Sequence, residues 1–315
     1  MPLTRPIVLA TAALGVAVSA PANASGSQLL VATVNGPDIN LPASGGSQIV
    51  SFNTPGVQIT GVGLTARWTA VNADTNNGTA PWSTDVRVSV VAPGGQSMNW
   101  GRVGGDVSFV DFPFQDASPA GFTNASGVGD YTFNFDNAFN GPWISGLRDV
   151  RYHLTTTVPT QTHSFSGNTA AGDSWSRPFF IDGVSGLGPV NHSVLEFTVS
   201  ASGRYEFETI IPGLDVPTFL YQGSFDASQP LMNLLDYSLA NGSGADGNPR
   251  GESRIDALLH EGETYHFVVS QWSRFTQDLE FNSLISGPGV VSVVPAPGAA
   301  AVLGVGLMLG GRRRR

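Results

Sequence analysis

The chain has 315 residues, no cysteine and no lysine; all 15 basic residues are arginine, set against 24 acids, and only 12 % of residues are charged. Gly (39) and Pro (21) together make about 19 % of the chain, against a usual ~12 %. This excludes a long helical bundle, a basic nucleic-acid binder and a disulfide scaffold, zinc–thiolate site or cysteine nucleophile. With 41 % hydrophobic and 10 % aromatic residues the chain can fill a core, so a Gly/Pro-punctuated, β-rich globular protein is expected.

Residues 1–24 read as a secretory signal peptide. Arg5 supplies the positive end, Ile7 to Ala20 the apolar run, and Ala22-Asn23-Ala24 the small-x-small cleavage site. From there the apolar period is two. Val57 and Ile59, then Val62, Leu64, Ala66 and Trp68, alternate, with a phase slip at Gly61 read as a β-bulge. Val86, Val88 and Val90 alternate, as do Tyr131, Phe133 and Phe135, and Val150, Tyr152 and Leu154. The polar stretch from Thr155 to Asp173 is expected to carry the domain boundary, near Thr160. Beyond it Leu195, Phe197 and Val199, then Tyr205 and Phe207, then Tyr265, Phe267 and Val269 continue the pattern. Turn signals separate these runs at Pro93-Gly94-Gly95, Asp182-Gly183, Ala201-Ser202-Gly203 and Asp246-Gly247. Leu231 to Leu239 is the one stretch read as a short helix. The expectation is all-β: two antiparallel, jelly-roll-like β-sandwich domains in tandem, 27–160 and 161–290.

The last segment, 294–315, holds Val294-Pro295-Ala296-Pro297, an apolar run from Ala299 to Gly311, and Arg312, Arg313, Arg314 and Arg315. As a helix the apolar run is about 20 Å long, short of a ~30 Å hydrocarbon core, and the arginines would stay on the cytoplasmic side. These features in this order resemble the PEP-CTERM tail of Gram-negative bacteria, with Ala296 where the usual motif has Glu. The resemblance implies an exosortase as partner during sorting, transient contact with the inner membrane, and an extracellular or cell-surface destination.

A second resemblance covers 174–289. Ser174-Trp175-Ser176-Arg177-Pro178, Phe197 to Tyr205, Thr218 to Asp226, Pro230-Leu231, Ser253-Arg254-Ile255, Gly262-Glu263-Thr264-Tyr265 and Gly287-Pro288-Gly289 are similar to the bacterial pre-peptidase C-terminal (PPC) domain. That likeness implies a non-catalytic β-sandwich accessory module. Gly242 and Ser243 stand where that family often has two aspartates. Asp85 to Gly95 resembles the strand–turn core of the proprotein-convertase P domain, a jelly-roll-like sandwich.

Catalytic patterns are weak. His260 to His266 lacks the i, i+4 histidines of a zinc helix, since position 264 is Thr; a turn entering a strand 264–270 is expected, with His266 facing solvent. No Gly-x-Ser-x-Gly elbow occurs. Glu206 and Glu208 share a strand face and read as an outward polar face rather than a glycosidase pair. Calcium is the remaining cofactor candidate: Asp236, Asn241, Asp246, Asn248, Glu252 and Asp256 offer six oxygen-bearing side chains on a glycine-rich loop. Asp74, Asn76, Asn77 and Asp85 form a second such patch. Trp82, in the polar loop Asn77 to Ser83, is the candidate glycan contact. Without the two end segments, ten arginines face 24 acids, a net charge of −14 that repels nucleic acid. The expected function is a non-enzymatic structural or adhesive role in extracellular matrix or exopolysaccharide, alone or with other surface proteins. The alternative is a carbohydrate- or calcium-dependent binding module.

Overall fold

The computed structural model describes residues 26–42, 44–71, 85–102, 112–117, 122, 125–138, 144–180, 183–239 and 250–294. Residues 1–24 and 295–315 lie outside these residues, and with them Ala22, Ala24, Pro295, Ala296, Pro297 and Arg312 to Arg315. No helix among the described residues is long and apolar enough to cross a membrane.

The first half contributes β1 (Ser27–Asn35), β2 (Ile39–Leu41), β3 (Gly46–Ile59), β4 (Gly61–Val71), β5 (Val86–Val91), β6 (Ser97–Arg102), β7 (Phe112–Ala117), β8 (Ala125–Asn137) and β9 (Ile144–Val158). One sheet runs β1/β2-β9-β4-β7, and the facing one β3-β8-β5-β6, all antiparallel. With β1 and β2 counted as one strand, the first pairs with the last, the second with the seventh, the third with the sixth and the fourth with the fifth. That is the winding of a jelly roll.

The second half repeats the wiring. It contains β10 (Gln161–Asn168), β11 (Ser174–Trp175), β12 (Pro178–Phe180), β13 (Gly183–Val184), β14 (Val190–Val199), β15 (Gly203–Ile210), β16 (Thr218–Gln222), β17 (Leu234–Ser238), β18 (Glu252–Leu259), β19 (Thr264–Ser270), β20 (Glu280–Gly287) and β21 (Val291–Val293). The sheets are β10-β20-β15-β18 and β14-β19-β16-β17. β11 and β21 share the outer edge of β14. Two jelly rolls therefore stand in tandem, as the period-two pattern predicts.

The alternation is what drives both folds. On β5 and β8 the residues Val86, Val88, Val90, Tyr131, Phe133 and Phe135 enter the core while Arg87, Thr132 and Asn134 stay outside. The first buried cluster draws on 39–154; the other two draw on 175–291. The second of these lies on the outer face of the β14 sheet, roofed by Phe225 and the β11–β13 segment. β1 then joins the halves: Leu29 pairs with Gly203, on the same side of β15 that β20 occupies further along.

Three expectations differ. The phase slip at Gly61 is a corner rather than a bulge: the chain leaves one sheet after Ile59 and enters the facing sheet at Gly61, so the inward direction reverses. Leu231 to Leu239 is a turn followed by β17, because Asn233 takes φ 62° and Leu234 and Leu235 enter cores on opposite faces of the sheet. The polar stretch Thr155–Asp173 is mostly strand. It closes β9 and forms β10, an edge strand whose hydroxyl-rich faces protect an open edge. The position named as the boundary, Thr160, falls in the two-residue gap between them.

Candidate functional site

The candidate calcium ligands that are described do not converge. Asp236 sits on β17 and its carboxylate accepts the Tyr237 amide at 2.7 Å. Asp256 sits on β18, in the facing sheet, and pairs with Arg204 at 2.9 Å. Glu252 is exposed at the start of β18. Asn241, Asp246 and Asn248 lie outside the described residues, as do Asp74, Asn76, Asn77 and Trp82. Among the described residues no three His, Asp or Glu side chains group around a point that could hold a metal ion.

Glu206 and Glu208 do share the outer face of β15, and β18 supplies their partner. Arg254 Nε meets Glu206 at 2.9 Å and its Nη2 meets Glu208 at 2.5 Å. Burial, followed by the neighbouring Asp256, pushes the Glu206 carboxyl up. With an arginine between them the two acids make a charge ladder. His266 lies deeper than expected, and His192 is buried as well. His266 is on the outer face of β19 but is covered by Phe225, ring centroids 6.5 Å apart, instead of facing solvent. His192 is buried between Trp175 and Phe225, at 5.0 and 5.4 Å. Burial lowers the pKa of both, so at neutral pH they are uncharged packing groups.

The surface that stands out is at the end of the second sandwich farthest from β1. There β19 hands over to β20 through Ser273-Arg274-Phe275-Thr276, and the loop after β13 lies beside it. Phe275 is 81 % exposed, the highest value among the large apolar side chains described. Leu187, on the loop that meets the turn, is also exposed (37 %). The turn that carries the ring is closed by hydrogen bonds. The Thr276 amide and hydroxyl both donate to the Ser273 carbonyl, at 3.0 and 2.6 Å. The Arg274 amide donates to Leu187 O at 3.0 Å, and its guanidinium to Gly188 O at 2.9 Å.

Arg274 also lies 4.9 Å from the Phe275 ring centre, covering that ring with a cation. Beneath the turn, Arg177 stacks on Trp272 at 4.3 Å and donates to the carbonyls of Trp272 and Pro178, at 2.9 and 2.8 Å. It is wholly buried, and burial lowers its pKa to about 10. Arg177 thus staples β12 to the loop that holds the tip. Holding Phe275 in water forgoes about 1.5–3 kcal/mol of burial that such a side chain provides elsewhere. Sequence reasoning passed over Phe275; the signal for it was an aromatic in a polar turn between two strands.

No protein-family model and no curated protein matches the chain. Solved structures that the chain matches include the CBM22 tandem domain from Paenibacillus barcinonensis Xyn10C: 8 % identity, 87 % of this chain and 100 % of that one, TM-score 0.25. The tandem CBM51 modules of the Streptococcus pneumoniae family 98 glycoside hydrolase share 11 % identity over 85 % and 88 %, TM-score 0.23. The major capsid protein P2 of bacteriophage PM2 shares 9 % over 84 % and 98 %, TM-score 0.23.

Proposed function

We propose that the protein is a secreted, surface-sorted, non-catalytic adhesive module pair that binds neutral polysaccharide of an extracellular matrix through the distal end of its second sandwich. The observation that carries this reading is Phe275, an aromatic ring held out in water by a hydrogen-bonded turn. A flat apolar face stacks on the C–H face of a sugar ring, and the Arg274 guanidinium and nearby turn groups serve its hydroxyls. The net charge of −14 between the two end segments argues against polyanionic partners and favours a neutral one. The sorting part rests on the signal-like and PEP-CTERM-like ends, and the accessory role on the PPC-like stretch.

Two experiments test the proposal. A glycan array probed with the purified protein, with and without calcium, should show retention on neutral glycans; no retention on any glycan contradicts the binding reading. Mass spectrometry of protein taken from the cell surface should show a start at Ser25 and an end near Pro297. A retained Arg315 in surface material contradicts the processing.

A further inference from the structure

Residues 224–232 lie between β16 and β17, over the outer face of the β14 sheet. The two stems of this loop are pinned together. The Gln222 amide donates to Asn233 O at 3.1 Å, the Gly223 amide to Thr264 O at 2.8 Å, and Asn233 Nδ2 to the Ser224 carbonyl and hydroxyl at 3.2 and 2.9 Å. Each stem carries a residue in the left-handed region, Gly223 at φ 83° and Asn233 at φ 62°. Between the stems the loop meets the sheet through Phe225 and Ala227, and through Tyr221 Oη, which donates to Pro230 O at 2.7 Å.

Phe225 rests on Trp175, Tyr221, His192 and His266, with ring centroids 5.4, 5.0, 5.4 and 6.5 Å away. The two histidines come from neighbouring strands, β14 and β19. Nδ1 of each is buried with no hydrogen-bond partner among the described residues. A neutral imidazole can leave that nitrogen as a bare acceptor. A protonated one carries an N–H there, placed in an apolar chamber without an acceptor.

The charged groups around the rings do not remove that cost. Glu196 on β14 lies 3.8 Å from His266 Nε2, across the ring from Nδ1. Asp173, ahead of β11, favours a charged His192 through its backbone and its carboxylate. Tyr221 on β16 stays neutral, because burial holds its proton. On the loop itself the Asp226 carboxylate accepts the Ser228 amide and hydroxyl, at 2.8 and 2.7 Å. Burial remains the largest influence on both rings and disfavours their charge.

We infer that residues 224–232 form an acid-released lid, which swings out on Gly223 and Asn233 when His192 and His266 take up protons and so uncovers Trp175, Tyr221 and Val268. In the open form both rings regain water and with it the ordinary value of 6.5. Closure is therefore favoured above that pH and weakens progressively below it. The pinned stems keep the change local. The lid is separate from the Phe275 turn and does not depend on the polysaccharide reading.

The chain has no cysteine, so one introduced thiol reports one position. Val268 and Val269 are neighbours on β19 and both are wholly buried, Val268 in the cluster beneath the lid and Val269 in the sandwich core. Val268→Cys and Val269→Cys, each in the full chain, are labelled with a disulfide reagent at pH 7 and pH 5, and each rate is divided by that of the same variant unfolded at the same pH. The relative rate at 268 should rise by about tenfold or more at pH 5, while that at 269 stays level. Adding His192→Gln and His266→Gln should abolish the rise. No rise at 268, an equal rise at 269, or a rise that survives both histidine substitutions overturns the inference.

Discussion

Leu29 on β1 stands opposite Gly203 on β15, and the next residue, Leu30, donates its amide to Ser202 O at 2.9 Å. Through this rung the sheet of one sandwich continues into the other. The joint is tight: a Cβ on Gly203 would stand 2.2 Å from Gln28 O and 2.5 Å from Pro288 Cγ. Gln28 is itself buried, accepting from Thr155 at 2.8 Å and donating to Thr157 at 3.1 Å.

Gly203→Ala should therefore force the two halves apart or strain both, at a cost of about 1–3 kcal/mol. Calorimetry should show a lower melting temperature and a split of the parent transition. A single unchanged transition would mean that the rung does not couple the sandwiches.

His153 sits beside this joint with no exposed surface, its Nδ1 3.0 Å from Thr33 Oγ1 and its Nε2 2.8 Å from Thr65 Oγ1. Burial first, then His260 and Arg151, push its pKa down to about 3. The unfolded chain therefore takes up the proton first. Stability is full above the ordinary value of 6.5 and falls as pH drops toward 3, by about 1.4 kcal/mol per pH unit from this group. His260, His192 and His266 are shifted the same way and add to the slope. Chemical denaturation at pH 7, 6, 5 and 4 should show this loss, shallower in His153→Gln. Parallel profiles for the two proteins would show that His153 does not titrate as described.

Calcium at ~1 mM should leave the melting temperature within about one degree. Asp256 is held by Arg204, and the Asp236 carboxylate on β17 accepts the Tyr237 amide, so neither carboxylate is poised for a shared ion. A site of ~0.1 mM affinity would contribute about 1.4 kcal/mol, several degrees in a domain of this size. A rise of that size, removed by Asp236→Ala or Asp246→Ala, contradicts this expectation.

Much of the fold is legible because strands with one wet face write their burial directly into the residue order. Val86 to Val90 and Tyr131 to Phe135 are examples. Legibility fails where both faces or neither are covered. Leu234 and Leu235 enter cores on both faces of one sheet and so mimic a helical run. β10, an edge strand rich in Ser and Thr, mimics a linker. His266 alternates correctly to the outer face, but the Phe225 loop roofs that face, which local sequence does not record. The tip was missed for the opposite reason: an exposed Phe275 interrupts no pattern, and only its exposure in the folded chain separates it from a core residue.

The most direct test of the central claim is a binding titration on a neutral polysaccharide with three proteins: the parent, Phe275→Ala and Ile49→Ala. Ile49 is 69 % exposed on the β3 sheet of the first sandwich, so it controls for loss of an exposed apolar group elsewhere. Both substitutions are at the surface and should shift stability by no more than about 0.5 kcal/mol. Phe275→Ala should bind at least tenfold more weakly, and Ile49→Ala with the parent's affinity. Parent affinity in Phe275→Ala would contradict that claim.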